Sequence, residues 1–273
     1  MINVVLMAGR GQRFVEAGYK QSKPLIPVSG KPMILRAIRG MPESDIWTFV
    51  VRNEHLLEKE LIKTLESAGK NVKILVDPDP KGQLNSCLVA KEYFNNDEPL
   101  FVGACDFGMV YDEENLKKIL SDKSADLIVF SFTRQPNLSR NPQAWGWLRQ
   151  DNENNIHGVS VKVPISADPF NDFAITGSFI FKSGKYFLEL AHELVSRNVK
   201  VKGEFYIDSM IALACELRHR AISFPVKYIG WGTPADYEEY CFWEKNIKSG
   251  NLEIKNKDGY DFWHEYFKTQ AKL

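Results

Sequence analysis

Gly9-Arg10-Gly11-Gln12-Arg13, with Lys23-Pro24 a short polar stretch later, groups the residue types that grip a polyphosphate. Neither glycine carries a Cβ, so the backbone amides of such a loop can approach phosphate oxygens closely. Arg13 can fork onto those oxygens, and Lys23 supplies a movable point charge. The chemistry this combination suits is neutralisation of charge developing on the α-phosphate and departing pyrophosphate of a nucleoside triphosphate. A third element is Asp106, at the end of the apolar run Phe101 to Cys105. A carboxylate there is either a hard oxygen ligand for Mg²⁺ on phosphate or a turn residue of the kind that commonly ends strands.

Spacing removes the rival loop chemistries. A Walker loop needs Lys-Ser or Lys-Thr after its last glycine, and none follows Gly11; a dinucleotide fingerprint needs a third glycine where Phe14 stands. The five histidines, His55, His157, His192, His219 and His264, form no metal-binding pair, and no serine-nucleophile elbow occurs. Cys87, Cys105, Cys215 and Cys241 match no zinc or redox spacing and read as buried reduced thiols. Gly82-Gln83 follows the turn Asp77-Pro78-Asp79-Pro80, and it reads either as a plain turn opening a helix or as a close approach to a ligand with an amide to bond it.

Leu6-Met7-Ala8-Gly9-Arg10-Gly11-Gln12-Arg13, then Lys23-Pro24-Leu25 and Gly30-Lys31-Pro32-Met33, resembles the N-terminal signature of the sugar-phosphate nucleotidylyltransferases, and in particular a capsule-biosynthesis branch of that superfamily. The likeness runs to about residue 245. It implies a nucleotide site of Leu6, Ala8, Gly9, Gly11, Arg13 and Lys23, with Gly82 and Gln83 against the base, and Asp106 holding Mg²⁺. It implies an acceptor site in which Lys162 meets a phosphate, Thr176-Gly177 lines the acceptor body and Glu204 reaches a hydroxyl or amine. Two departures stand out. Val161 replaces the acid of the family's Glu-Lys-Pro segment, and Gly230 occupies the place of a second metal-binding Asp in Gly230-Trp231-Gly232-Thr233. Asp208 is then expected as the second metal ligand, with Glu204, Asp236 or water and phosphate as the alternatives. The reaction implied joins a nucleoside triphosphate to a small phosphorylated acceptor, with Arg13, Lys23 and Asp106 as catalytic residues. A glycosyltransferase using a nucleotide-sugar donor and a non-catalytic nucleotide-binding module are the two rivals.

Residues so placed need a scaffold. Short apolar runs at 2–7, 47–52, 72–76, 100–105 and 127–133 alternate with helical patterns, the signature of an α/β fold of Rossmann-like, glycosyltransferase-A type with a mostly parallel central sheet. Helices are expected from Pro32, along the stripe Leu56, Leu57, Leu61 and Leu65, over Leu84 to Phe94, and around 185–195 and 207–217. Thr233-Pro234 reads as the capped start of another. Residues 1–250 read as one nucleotidyltransferase domain, with 135–181 as an acceptor-side β-hairpin insertion. Residues 251–273 form an aromatic tail, packed on its own domain or offered to a neighbouring subunit in a homo-oligomer.

Composition narrows the partners. With 35 basic and 35 acidic residues the net charge is zero, which argues against a broad nucleic-acid or anionic-lipid surface. No signal-peptide pattern and no apolar run of membrane-spanning length occurs, so a cytoplasmic protein without membrane insertion is expected.

Overall fold

A computed structural model describes residues 1–270. The chain opens with β1 (Ile2–Leu6), the short helix α1 (Gln12–Glu16) and a two-residue hairpin, β2 (Pro27–Val28) with β3 (Lys31–Pro32). There follow α2 (Met33–Arg39), β4 (Ile46–Val51), α3 (Lys59–Glu66), β5 (Val72–Val76), α4 (Gln83–Leu88), α5 (Lys91–Phe94), β6 (Leu100–Ala104) and β7 (Phe107–Val110). The second half runs α6 (Glu113–Asp122), β8 (Leu127–Phe132), α7 (Pro136–Arg140), β9 (Gly146–Gln150), β10 (Ile156–Val161), β11 (Phe173–Phe181), α8 (Gly184–Ser196) and α9 (Ile207–Glu216). It closes with β12 (Ala221–Pro225), β13 (Lys227–Gly230), α10 (Pro234–Lys248) and α11 (Tyr260–Gln270).

Nine strands make one sheet in the order β10-β9-β11-β6-β1-β4-β5, with β8 joined to β11 and β12 beside it. Pairing is parallel from β6 through β1 and β4 to β5, and β11 is antiparallel to β6, β8 and β9. Buried on both faces, β1 reads as the unbroken apolar run that a parallel strand requires, apart from Asn3, whose amide donates to the Pro42 carbonyl at 2.7 Å. Two apolar cores cover the faces, one built on Phe14, Phe49, Phe101, Phe130 and Trp231, the other on Leu84, Phe94, Phe187 and Met210. The expected strands form within a residue of their expected ends.

Two helices depart from expectation. Glu58 is non-helical, so the chain makes a 3-10 turn over Asn53–Leu57 before α3 starts, and only Leu61 and Leu65 of the four leucines reach the core. Leu56 is 47% and Leu57 85% exposed. The single helix expected from Leu84 to Phe94 is two, because Val89 and Ala90 break it before α5. The hairpin β9–β10 does form, and β9 pairs with β11, so it extends the main sheet.

Beyond the main sheet, β7 and β13 form a separate antiparallel ladder in which Phe107 faces Gly230. Thr233 caps α10, accepting from the Asp236 amide, with Pro234 in its first turn. The described part of the tail, 251–270, lies on its own domain, with 271–273 outside the described residues: Trp263, Tyr266 and Phe267 of α11 are buried and surround Tyr240 of α10. No described helix is long and apolar enough to cross a membrane.

Candidate active site

The loop after β1 leaves the sheet at its carboxyl edge, where open α/β sheets bind ligands. Gly11 has φ +60° and caps α1, a left-handed conformation that a side chain would strain. A Cβ on Gly9 would meet nothing within 4 Å, so that side of the loop is open to a ligand. The loop is anchored by Phe14, buried edge-to-face against Tyr19 and Tyr237. Lys23 stands at the start of a 3-10 turn whose Pro24 and Leu25 are buried, which fixes its backbone. Its ammonium then donates to Asp106 Oδ2 at 2.5 Å.

Asp106 occupies the turn between β6 and β7, and its carbonyl accepts from the Trp231 amide at 2.9 Å. Burial is the largest single influence on the Lys23 pKa and lowers it, but the Asp106 charge and hydrogen bond, with Cys105, together outweigh it and hold the ammonium above its ordinary value. Lys23 is therefore a fixed cation at neutral pH. The neighbouring Cys105 thiol is pushed up to about 12, chiefly by burial, and is no nucleophile.

Two cavities meet at Gln83, Ala104 and Gly177. The smaller, about 330 Å³, is walled by Leu6, Ala8, Gly9, Gly82, Gln83 and Glu204. Gly82 has φ +111°, and a Cβ there would lie 3.2 Å from the Glu204 Cβ, so this wall is a close approach of two backbones. The turn before it is tied down by Asp77, whose buried carboxylate accepts from Ser86 Oγ at 2.6 Å and from the Asp79 amide at 3.1 Å. In sequence Asp77 reads only as part of the turn Asp77-Pro78-Asp79-Pro80, and its place just before Pro78 is the signal for this tie.

The larger cavity, about 460 Å³, is lined by Arg13, Asp106, Lys162, Thr176, Gly177 and Asp208 among others. Lys162 follows β10 with φ +62°, and its ammonium donates to the Ala144 carbonyl and stands 5.5 Å over the Tyr206 ring. Burial lowers its pKa; Asp208 opposes that, and Lys202 and Arg13 push it further down. Asp208, in the first turn of α9, is raised to about 6 by burial, against the pull of Lys162 and its own backbone amide.

Of the expected residues, the structure thus brings Arg13, Asp106, Lys162, Thr176, Gly177 and Asp208 to one cavity and Leu6, Ala8, Gly9, Gly82 and Gln83 to the other. Glu204, expected with the acceptor group, lies against Gly82 instead. Gly230 faces the Tyr228 ring, and it is Gly232 whose Cβ would fall 3.1 Å from Asp106 Oδ2. Asn137, Arg140 and Trp145 also line the larger cavity. Asn137 and Arg140 carried no signal in sequence, because only the path of α7 beside β13 brings them there, and Trp145 arrives on the segment that leads into β9.

Residues 2–240 match the family model described as nucleotidyl transferase. The chain belongs to the nucleotidyl transferase family. This nucleotidyl transferase is 28% identical over 138 residues to a CMP-5'-(3-aminopropyl)phosphonate synthase of Streptomyces rubellomurinus, covering 49% of the chain and 21% of the relative. It is 28% identical over 156 residues to the bifunctional protein GlmU of Methanococcus aeolicus, covering 56% and 34%. The chain therefore spans only a minor part of the length of these curated relatives. A glucose-1-phosphate thymidylyltransferase of Neisseria meningitidis is matched more fully, at 24% identity with 93% of the chain and 86% of the relative covered. Among solved structures, a UDP-glucose pyrophosphorylase complexed with UDP-glucose superposes with a TM-score of 0.68 at 19% identity, covering 90% of this chain and all of that one. A nucleoside-diphosphate-sugar pyrophosphorylase from Vibrio cholerae gives 0.69 at 19% identity, covering 88% and 99%. These two likenesses establish the shared fold.

Proposed function

We propose that this nucleotidyl transferase is of the sugar-phosphate type, joining a nucleoside triphosphate to a small phosphorylated acceptor to give a nucleotide-activated product and pyrophosphate. The observation that carries the reading is the Lys23–Asp106 pair beside two joined cavities, one walled by the glycine loop and the other holding Lys162. The names of the matched relatives support it, since they include a thymidylyltransferase and a CMP-phosphonate synthase.

The nucleotide lies along the glycine loop with its base toward Gly82 and Gln83 and its phosphates toward Arg13 and Lys23. An acceptor phosphate oxygen held by Lys162 attacks the α-phosphorus; that P–O bond forms as the bond to the pyrophosphate oxygen breaks. The acceptor phosphate is already ionised at neutral pH, so no enzyme nucleophile or general base is required. Catalysis is then positioning and charge neutralisation.

The site suits Mg²⁺. Asp106 presents a partly exposed carboxylate to the larger cavity and Gly232 leaves space beside it, while among the described residues no three potential ligands gather at one point. Mg²⁺ takes one or two carboxylates and completes its shell with water and phosphate oxygens, so Asp106 would hold it. Bound there, it would offset the negative charge of the phosphates. Asp208 faces Lys162 and is given a different task below.

Synthesis of activated sugars for surface polysaccharide, in the cytoplasm where triphosphates are made, is the setting the resemblance suggests. The test is a panel of the four ribonucleoside triphosphates and dTTP against several sugar 1-phosphates and phospho-alcohols, scored by pyrophosphate release. Release that needs both substrates is the expected outcome. Turnover of a nucleotide-sugar donor without pyrophosphate would transfer the assignment to a glycosyltransferase, and binding without turnover would leave a nucleotide-binding module.

A further inference from the structure

Three carboxylates line the larger cavity, and two are engaged by side chains: Asp106 by Lys23 at 2.5 Å, and Asp236 by the Thr233 hydroxyl at 2.7 Å. Arg140, also in the lining, is paired with Glu239. Asp208 differs. Only 6% exposed, its carboxylate has no side-chain hydrogen bond or ion pair within 4.0 Å among the described residues. Its position is fixed, because it packs so closely on β9 that a Cβ on Gly146 would lie 2.4 Å from its Oδ2. Lys162 influences it through space, but its ammonium donates to the Ala144 carbonyl and stands over the Tyr206 ring instead of pairing with Asp208.

We infer that Asp208 receives an ammonium group of the acceptor, so that the substrate joined to the nucleotide is a phosphorylated amine held by Lys162 at its phosphate and by Asp208 at its cation. This rests on the transferase reading above. A buried carboxylate without a counter-charge is costly. The cost rises when an acceptor phosphate reaches Lys162, because the arriving negative charge takes up the cation whose charge Asp208 feels. A hydroxyl would satisfy a lone pair and leave both negative charges in place. An ammonium on the same molecule answers the hydrogen bond and the charge together. Since Lys162 and Asp208 feel each other's charge within one cavity, the amine and phosphate must be separated by a short framework, as in an aminoalkyl phosphate or a 2-amino-sugar 1-phosphate.

The experiment compares matched acceptors on the intact enzyme: 2-aminoethyl phosphate against 2-hydroxyethyl phosphate, and glucosamine 1-phosphate against glucose 1-phosphate. Each is assayed for pyrophosphate release with all the triphosphates. For at least one pair, kcat/KM should favour the amine by about tenfold or more, the discrimination expected of a charged hydrogen bond in a buried site. Asp208→Asn should bring that ratio close to one. Because a ratio is read, a general loss of activity or of folded protein does not mimic the effect. Equal use of both members by the unaltered enzyme, preference for the hydroxyl member, or a variant that retains the amine preference overturns the inference while leaving the transferase reading intact. Absence of pyrophosphate release with every acceptor and triphosphate removes the transferase reading and this inference with it.

Discussion

The two ends of the cleft are made of different material. The proposed nucleotide end is largely backbone: the loop through Gly9 and Gly11, the left-handed turn at Gly82 and its close approach to Glu204. The proposed acceptor end is made of side chains, with Trp145 just before β9, Lys162 just after β10, and Tyr206 and Asp208 at the start of α9. A backbone wall offers amides to any nucleotide, whereas a wall of side chains is rewritten by single substitutions. On the proposed reading, recognition of the common substrate is built into chain path, and recognition of the variable one into residue identity.

Where the ends meet, the strongest test applies. Lys23→Ala is expected to lower kcat by on the order of 10²-fold or more while the circular dichroism spectrum is kept, because it removes a fixed cation from the point of charge development. Full turnover in that variant would place the chemistry elsewhere.

The acceptor end should reveal itself through pH. Asp208 has its folded-state pKa raised to about 6, so its contribution to stability is fully present below its unfolded value near 3.8 and is lost as pH rises through 6. Urea unfolding should therefore show Asp208→Asn gaining on the unaltered protein between pH 4 and pH 7.5, by on the order of 2–3 kcal/mol. An unchanging difference across that range would contradict the burial assigned to this carboxylate.

Glycines separate the two ends further. Gly146→Ala would drive a methyl to 2.4 Å from Asp208 Oδ2 and 2.9 Å from Ile175 Cδ1, so a loss of about 1–3 kcal/mol in unfolding free energy is expected, as for overpacking generally. Gly9→Ala should leave the melting temperature within about a degree, since its methyl meets nothing within 4 Å. Its expected effect is a several-fold, roughly 3–10-fold, rise in KM for the triphosphate, because the methyl stands where phosphate must approach. A melting shift with unaltered KM would reverse that reading.

This division also explains what could be read from sequence. The glycine loop, the apolar strands and the Thr233-Pro234 cap are local signals, since each element is specified by residues adjacent in the chain. Leu56 and Leu57 misled because a helical spacing of leucines does not reveal that Glu58 leaves the helix. Glu204 was expected at the acceptor, yet its place depends on how the loop before α9 passes Gly82, which is a tertiary property. Asn137 and Arg140 were overlooked for the same reason.

The turn bearing Asp106 is gripped from behind. Its carbonyl holds the Trp231 amide, the Trp231 ring meets Tyr240 edge-to-face at 5.8 Å, and Tyr240 is clasped in turn by Trp263 and Phe267. An unbroken strut therefore runs from the acid to the last helix. Trimming that helix is therefore expected to slacken the footing of Asp106, so that α11 would serve as ballast for the proposed reactive centre.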